Sequence, residues 1–364
     1  MLTQESLTDC RFCSEVSQAN GEDPIGTAGT ADHWLLIEMP QPWTEKMFQE
    51  DPRIKSLIEL LKQLFMKKGI MLRPVLIVPD KAYSQPGQTR IIYYRRPQQQ
   101  FAQYQKQEFR VPEANFPRLA TAIMKNLMGQ TNELETFQGD RYDTSHIREI
   151  LVCTHGNVDA ACARFGFPIY KRLKADYADR SGGRLRVWRC SHFGGHKFAP
   201  TLIDLPSGRL WGHLEPGALD LLMTQGGDVS GLRSHYRGWA GLSKFEQIAE
   251  REIWMQEGWP WLGLHKTGTT TRKGLTGLKR YLYPLLRWIP LKRVQFLLEQ
   301  WTCNATWAEV QIHFSNVDQT VLGVYHARVE ESEPVLTAAK SPKLGEQIVI
   351  QAVPQYRVSR LVKR

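Results

Sequence analysis

Apolar and polar positions along this chain switch between two periods, and the switches predict alternating strands and helices. Trp34-Leu35-Leu36-Ile37-Glu38 is a short apolar run of the kind that forms a buried strand. Ile54, Leu57, Ile58, Leu61, Leu64 and Phe65 then recur at three- and four-residue intervals, which predicts a helix over 53–68. Strands are predicted at 74–78 and 90–95, both rich in β-branched or aromatic residues. After the polar connection Pro97-Gln98-Gln99-Gln100 come a strand at 108–111 and a helix at 117–128 with Pro117 in its first turn.

The middle of the chain repeats that order. A strand over 149–154 ends at Cys153-Thr154, and a helix opens at or just after Cys162, runs to about Asp179 and stops at Ser181-Gly182-Gly183. Strands follow at 185–188, 201–205 and 210–214, with Pro206-Ser207-Gly208 as a turn. A helix at 217–223, with Pro216 in its first turn, closes the set. This order fits a thioredoxin-like α/β domain over 146–228, and its recurrence predicts a degenerate, ligand-free copy over 1–145. The remainder, 229–364, reads as α+β: a helix at 243–256, strands at 306–314, 320–329 and 347–352, and a basic tail at 357–364.

Composition narrows the class. At 364 residues the chain can form two or three domains, and six irregularly placed cysteines do not read as a secreted disulfide framework. Met1 to Ser6 lacks the basic-then-apolar form of a signal peptide, and no apolar run approaches the roughly 18 residues that span a bilayer. A cytoplasmic location is therefore expected. The formal net charge of +10 is concentrated in one place. Between His265 and Arg293 lie Lys266, Arg272, Lys273, Lys279, Arg280, Arg287, Lys292 and Arg293 with no acid, interleaved with leucines and aromatics. Such a segment suits an anionic membrane surface or an acidic protein; its plain alternative is a helical insert with a solvated basic face. No nucleic-acid-binding motif accompanies the charge, so nucleic acid is not expected.

The candidate chemistry lies in V-C-T-H-G-N-V-D-A-A-C and C-S-H-F-G-G-H-K-F-A-P-T. Cys153, Cys162, His192 and His196 supply two soft thiolates and two imidazoles, a donor set for a thiophilic transition metal. Zinc accepts it, and so does a [2Fe-2S] cluster in which imidazoles replace the thiolates of one iron. Eight residues separate the cysteines, too many for a zinc knuckle. Phe193-Gly194-Gly195 between the histidines excludes the H-E-x-x-H protease helix.

Across these residues the chain resembles the sucrase/ferredoxin-like family, a branch of the thioredoxin-like [2Fe-2S] ferredoxins. The resemblance is carried by Val152-Cys153-Thr154, the Gly156–Asp159 loop, Cys162, Ser191 to His196 and Phe198 to Thr201. It is densest over 147–225, thinner over Gly26-Thr27-Ala28 and 34–38, and fades beyond about 240. In fungal relatives two cysteines and two histidines bind the cluster, and the H-x3-H pair falls where that pattern puts it. The resemblance implies a thioredoxin-like ferredoxin domain that binds a [2Fe-2S] cluster through Cys153, Cys162, His192 and His196. It implies single-electron transfer to or from an unidentified redox partner protein. Neutral imidazole donors make such a site less anionic and raise its potential. The "sucrase" part of the name finds no paired carboxylates in a glycosidase context. Two other classes stand beside it: a structural or regulatory zinc module, and a metal-free thioredoxin-like scaffold.

Other candidates have plainer readings. Cys10 and Cys13 form C-x-x-C, but ahead of any convincing strand, so a structural role is expected over a redox dithiol. Cys190 reads as a strand-end core residue and Cys303 as a small buried hydrophobe. His155 reads as a loop residue; His213 and His235 read as satisfied polar side chains. Asp159 and Ser191 are the expected neighbours of the ligands.

Overall fold

The computed structural model describes residues 12–44, 51–130, 132–156, 160–275, 277–289, 291, 294, 297–298, 301–302, 305–338 and 348–364. They divide into two compact units: Ala31–Pro97 with Gln103–Gly208, and Met1–Thr30 with Gln98–Ala102 and Arg209–Arg364. In chain order the elements are α1 (Cys13–Ala19), β1 (His33–Glu38), α2 (Pro52–Lys68), β2 (Leu72–Ile77), β3 (Gln88–Arg95), β4 (Gln105–Pro112), α3 (Phe116–Met128), β5 (Arg141–Tyr142), β6 (Arg148–Cys153), α4 (Ala160–Leu173), β7 (Leu185–Cys190) and β8 (Leu202–Leu205). There follow β9 (Arg209–Trp211), α5 (Pro216–Thr224), β10 (Tyr236–Trp239), α6 (Lys244–Glu257), β11 (His265–Lys273), α7 (Lys279–Leu286), β12 (Trp307–Ser315), β13 (Leu322–Ala338) and β14 (Ile350–Lys363).

The unit built on β1–β8 has one mixed sheet in the order β8-β6-β7-β2-β1-β3-β4-β5. Parallel neighbours cannot be joined by a hairpin and need a crossover. Helix α2 supplies it between β1 and β2, and α4 between β6 and β7. In each case the first strand of the parallel pair also holds an antiparallel neighbour on its other side, β3 against β1 and β8 against β6. The strand-helix-strand-strand topology therefore occurs twice, as the repeated element order predicts. Even the register recurs: Glu38 pairs with Ile77 where Cys153 pairs with Cys190. The halves meet where β2 runs antiparallel to β7 at Ile77 and Cys190. The expected boundary at 145/146 thus falls within one continuous sheet. The fold class is α/β and thioredoxin-like.

Burial explains why these segments hold. Helix α2 has Asp51 as its N-cap, accepting from the Arg53 amide at 2.9 Å, and ends at Gly69 in the left-handed region. Its Ile54, Leu57 and Leu64 join Leu119, Ile123 and Met124 of α3 over Leu35, Ile37, Ile91 and Tyr93 of the sheet. Each such side chain, fully buried, contributes about 1.5–3 kcal/mol.

A buried ionic network ties the halves of this unit together. Glu108 of β4 receives Arg90 and Arg186, each at 2.8 Å, and Lys106 meets Glu149 at 2.6 Å. Burial alone would raise the Glu108 carboxyl; Arg186 and Arg90 overcome it and hold it at about 2.

The other unit carries a four-stranded antiparallel sheet, β11-β12-β13-β14, with α6 packed on it and β9 paired to β10. It corrects two expectations. The basic stretch 357–364 is not a tail: Arg357 to Lys363 belong to β14 and pair with β13. The basic segment opens as strand β11, and Lys266 is buried there, its Nζ donating to the carbonyls of Trp261 and Leu264 at 2.8 and 2.6 Å. Burial pushes its ammonium well below the usual lysine range. Among the described residues no helix is long and apolar enough to cross a membrane.

Candidate metal centre

Strand β6 ends at Cys153, and its run Arg148-Glu149-Ile150-Leu151-Val152 is buried from Glu149 onward. Cys162 comes from the first turn of α4, on the stripe Cys162, Gly166, Ile169, Leu173 that the helix turns to the core. A thiol there lies near the positive end of the helix dipole, which favours its thiolate. The helix comes this close to β6 because position 166 is glycine. A Cβ at 166 would stand 2.1 Å from the Cys153 carbonyl oxygen.

His192 follows β7 on the loop that the glycine pair predicted. Gly194 and Gly195 both take left-handed φ angles, and His196–Phe198 then forms a single 3-10 turn anchored by buried Phe198. The Sγ atoms of Cys153 and Cys162 each lie 3.9 Å from His192 Nδ1. Potential ligand atoms of these three residues all fall within 4.8 Å of one another. No other group of His, Cys, Asp or Glu side chains among the described residues is as well placed to share an ion. His196 stands beside the set rather than in it, with its ring centroid 5.9 Å from that of His192 and the rings inclined by 37°.

The electrostatics suit a cation. The Cys153 thiol is lowered to about 5. The hydrogen bond from Cys162 is the main cause and outweighs burial; the His192 ring and the His155 amide add to it. Cys190, opposite Cys153 across β6 and β7, is driven the other way, first by burial and then by the Cys153 charge. It therefore stays a protonated core thiol, as its place at a strand end predicts. Two buried sulfurs with one of them easily ionised, plus an imidazole nitrogen aimed at both, form a chemically coherent ligand set for zinc or iron.

His155 does more than the loop position assigned to it from sequence. Its Nε2 lies 2.9 Å from the Trp43 carbonyl, and its Nδ1 accepts from the His192 amide at 3.3 Å. It therefore fixes the backbone of the ligand that carries the imidazole. Trp43 stacks edge-on against it at 5.7 Å. Neither partnership has a sequence signal, because Trp43 lies 112 and His192 37 positions from His155.

Ser191 does not turn to the ligands. Its hydroxyl accepts from the Leu76 amide at 2.9 Å and ties β7 to β2. Asp159, Cys10 and Cys303 lie outside the described residues. Cys13 is buried with Val16, Ala338 and Ile348. His213 and His235 are partnered by Ser17 Oγ and the Gly212 carbonyl, in keeping with the structural roles read for them.

Fold and site together define a thioredoxin-like α/β protein with a group of two buried cysteines and a half-buried histidine able to hold a metal. The sucrase/ferredoxin-like family model matches residues 24–238, more than half of the chain, and the chain belongs to that family. The matched span agrees with the fading of the resemblance beyond about 240. No curated protein and no solved structure matches the chain.

Proposed function

We propose that this protein is a cytoplasmic single-electron carrier whose [2Fe-2S] cluster is held by Cys153, Cys162, His192 and His196. The observation that carries the reading is the convergence of two buried sulfurs and a His192 ring nitrogen within 4.8 Å of one another, inside the span that the family model matches. When bound, the cluster would supply one-electron redox chemistry at a potential raised by its neutral imidazole donors. The chain's own residues do the rest. Cys153 and Cys162 supply the negative charge, and His155 orients His192. The rings of His192 and His196 are half-buried, and on this reading loss of a proton from a cluster-bound imidazole would oppose reduction. The midpoint potential should therefore fall as pH rises through the range where those protons leave. A redox partner protein is required by the same reading. Iron and acid-labile sulfide analysis of protein purified without air tests it, together with the visible spectrum.

One observation favours a second reading, a mononuclear zinc site. Tetrahedral zinc, with bonds of about 2.3 Å to sulfur and 2.0 Å to nitrogen, sets its sulfur and nitrogen ligands roughly 3.5 Å apart. The 3.9 Å separations seen here approach that spacing. Colour separates the two, since zinc protein is colourless.

A further inference from the structure

We propose that α7 and its flanks form a membrane-docking face that lays the protein on an anionic lipid surface. Leu278, Tyr281, Leu282, Leu285 and Trp288 recur at i, i+3, i+4, i+7 and i+10, one stripe of a helix. All five are exposed, four of them by 70% or more. No residue of α7 is buried. A contiguous apolar stripe in water marks a surface that meets something else.

The occupant follows from charge and side-chain type. Lys279, Arg280 and Arg287, on the helix and just after it, are exposed. No Asp or Glu occurs anywhere from 258 to 298. Tyr and Trp favour the headgroup boundary of a bilayer, leucines enter its acyl layer, and basic side chains gain from anionic headgroups. The Arg287 guanidinium lies 5.0 Å from the Trp288 ring, a pairing that puts charge and aromatic at one depth. A single-helix stripe with no buried residue suits a deformable layer better than a shaped protein pocket. The segment is also tethered. Gly274 exchanges backbone hydrogen bonds with Trp307 and Thr306 of the β12 edge, and a Cβ there would meet the Trp307 indole at 2.2 Å. Half-buried Tyr283 and Leu286 turn the other side of the helix away from water.

Flotation of the full chain with phosphatidylcholine vesicles, with and without phosphatidylserine, tests this. Binding is expected only with phosphatidylserine and should weaken steeply as salt shortens the screening length. The triple variant K279Q/R280Q/R287Q should lower partitioning about tenfold or more. The double variant L285S/W288S should lower it as well, while near-ultraviolet circular dichroism stays that of the parent. Absence of parental flotation would overturn the proposal, as would parental flotation by either variant. A parental dimer that L285S/W288S converts to monomer, with vesicle binding unchanged, would assign the stripe to a second copy of the chain and overturn it too.

Discussion

Glu38 occupies, in the first half of its sheet, the register position that Cys153 occupies in the second. At the end of β1 the carboxylate takes Arg90 Nη1 at 2.8 Å and the Arg90 amide at 2.9 Å, and both charged side chains are buried. At the end of β6 the same position offers a sulfur to His192. One copy of the topology closes on an ion pair, and the other presents a sulfur of the group able to hold a metal.

That contrast separates stability from metal binding. Glu38→Gln removes one of the two buried carboxylates on Arg90, leaving Glu108 at 2.8 Å, and should cost about 1–3 kcal/mol in denaturant unfolding. The folded fraction should keep its full metal content. Cys153→Ala should do the reverse, losing the metal with a smaller cost to the apo fold.

Gly166 is predicted to be intolerant for a local reason. In Gly166→Ala the new methyl would overlap the Cys153 carbonyl, so α4 must move and carry Cys162 with it. A loss of at least about 1–3 kcal/mol is expected, along with loss of bound metal. Gly194→Ala is the control. Its Cβ would meet nothing within 4 Å, so only the left-handed φ is strained, at about 1–2 kcal/mol.

Acid stability should report the buried network. The Glu108 carboxyl is held at about 2 when folded, against an ordinary value of 4.5. A depressed carboxyl contributes stability that is fully present above the unfolded value and is lost as pH falls through the folded one. Chemical denaturation should therefore show stability declining between pH 4.5 and about 2. Glu108→Gln should flatten that decline while lowering stability at neutral pH.

His155 should behave as a positioning residue. His155→Phe keeps a ring against Trp43 but removes both hydrogen bonds, including the one from the His192 amide. Metal affinity should drop about 10- to 100-fold. The paramagnetic spectrum of the reduced protein should change shape, which a variant altered only in stability would not show.

Much of this was legible in the sequence, because period and spacing are local. The apolar runs at 34–38 and 149–153, the stripe on α2 and the Gly-Gly loop each announce their conformation within a few residues. Cys153, Cys162 and His192 were readable as candidate metal donors from residue type, and the structure brings their donor atoms within 4.8 Å of one another. Long-range pairings were not. The contact of His155 with Trp43 spans 112 positions, and the ion pair of Lys106 with Glu149 spans 43. Lys266 was misread as a surface charge because a buried lysine leaves no mark when its partners are backbone carbonyls. The basic end of the chain was misread because Arg357, Arg360, Lys363 and Arg364 mask the strand signal of Val358, Leu361 and Val362 between them.

The central claim is tested most directly by metal and sulfide analysis of anaerobically purified protein, joined to low-temperature electron paramagnetic resonance before and after reduction. The account predicts about two irons and two labile sulfides per chain, with a signal only in the reduced state. All of these should vanish in Cys153→Ala with Cys162→Ala. Stoichiometric zinc without iron, or full iron and sulfide content in that double variant, would contradict it.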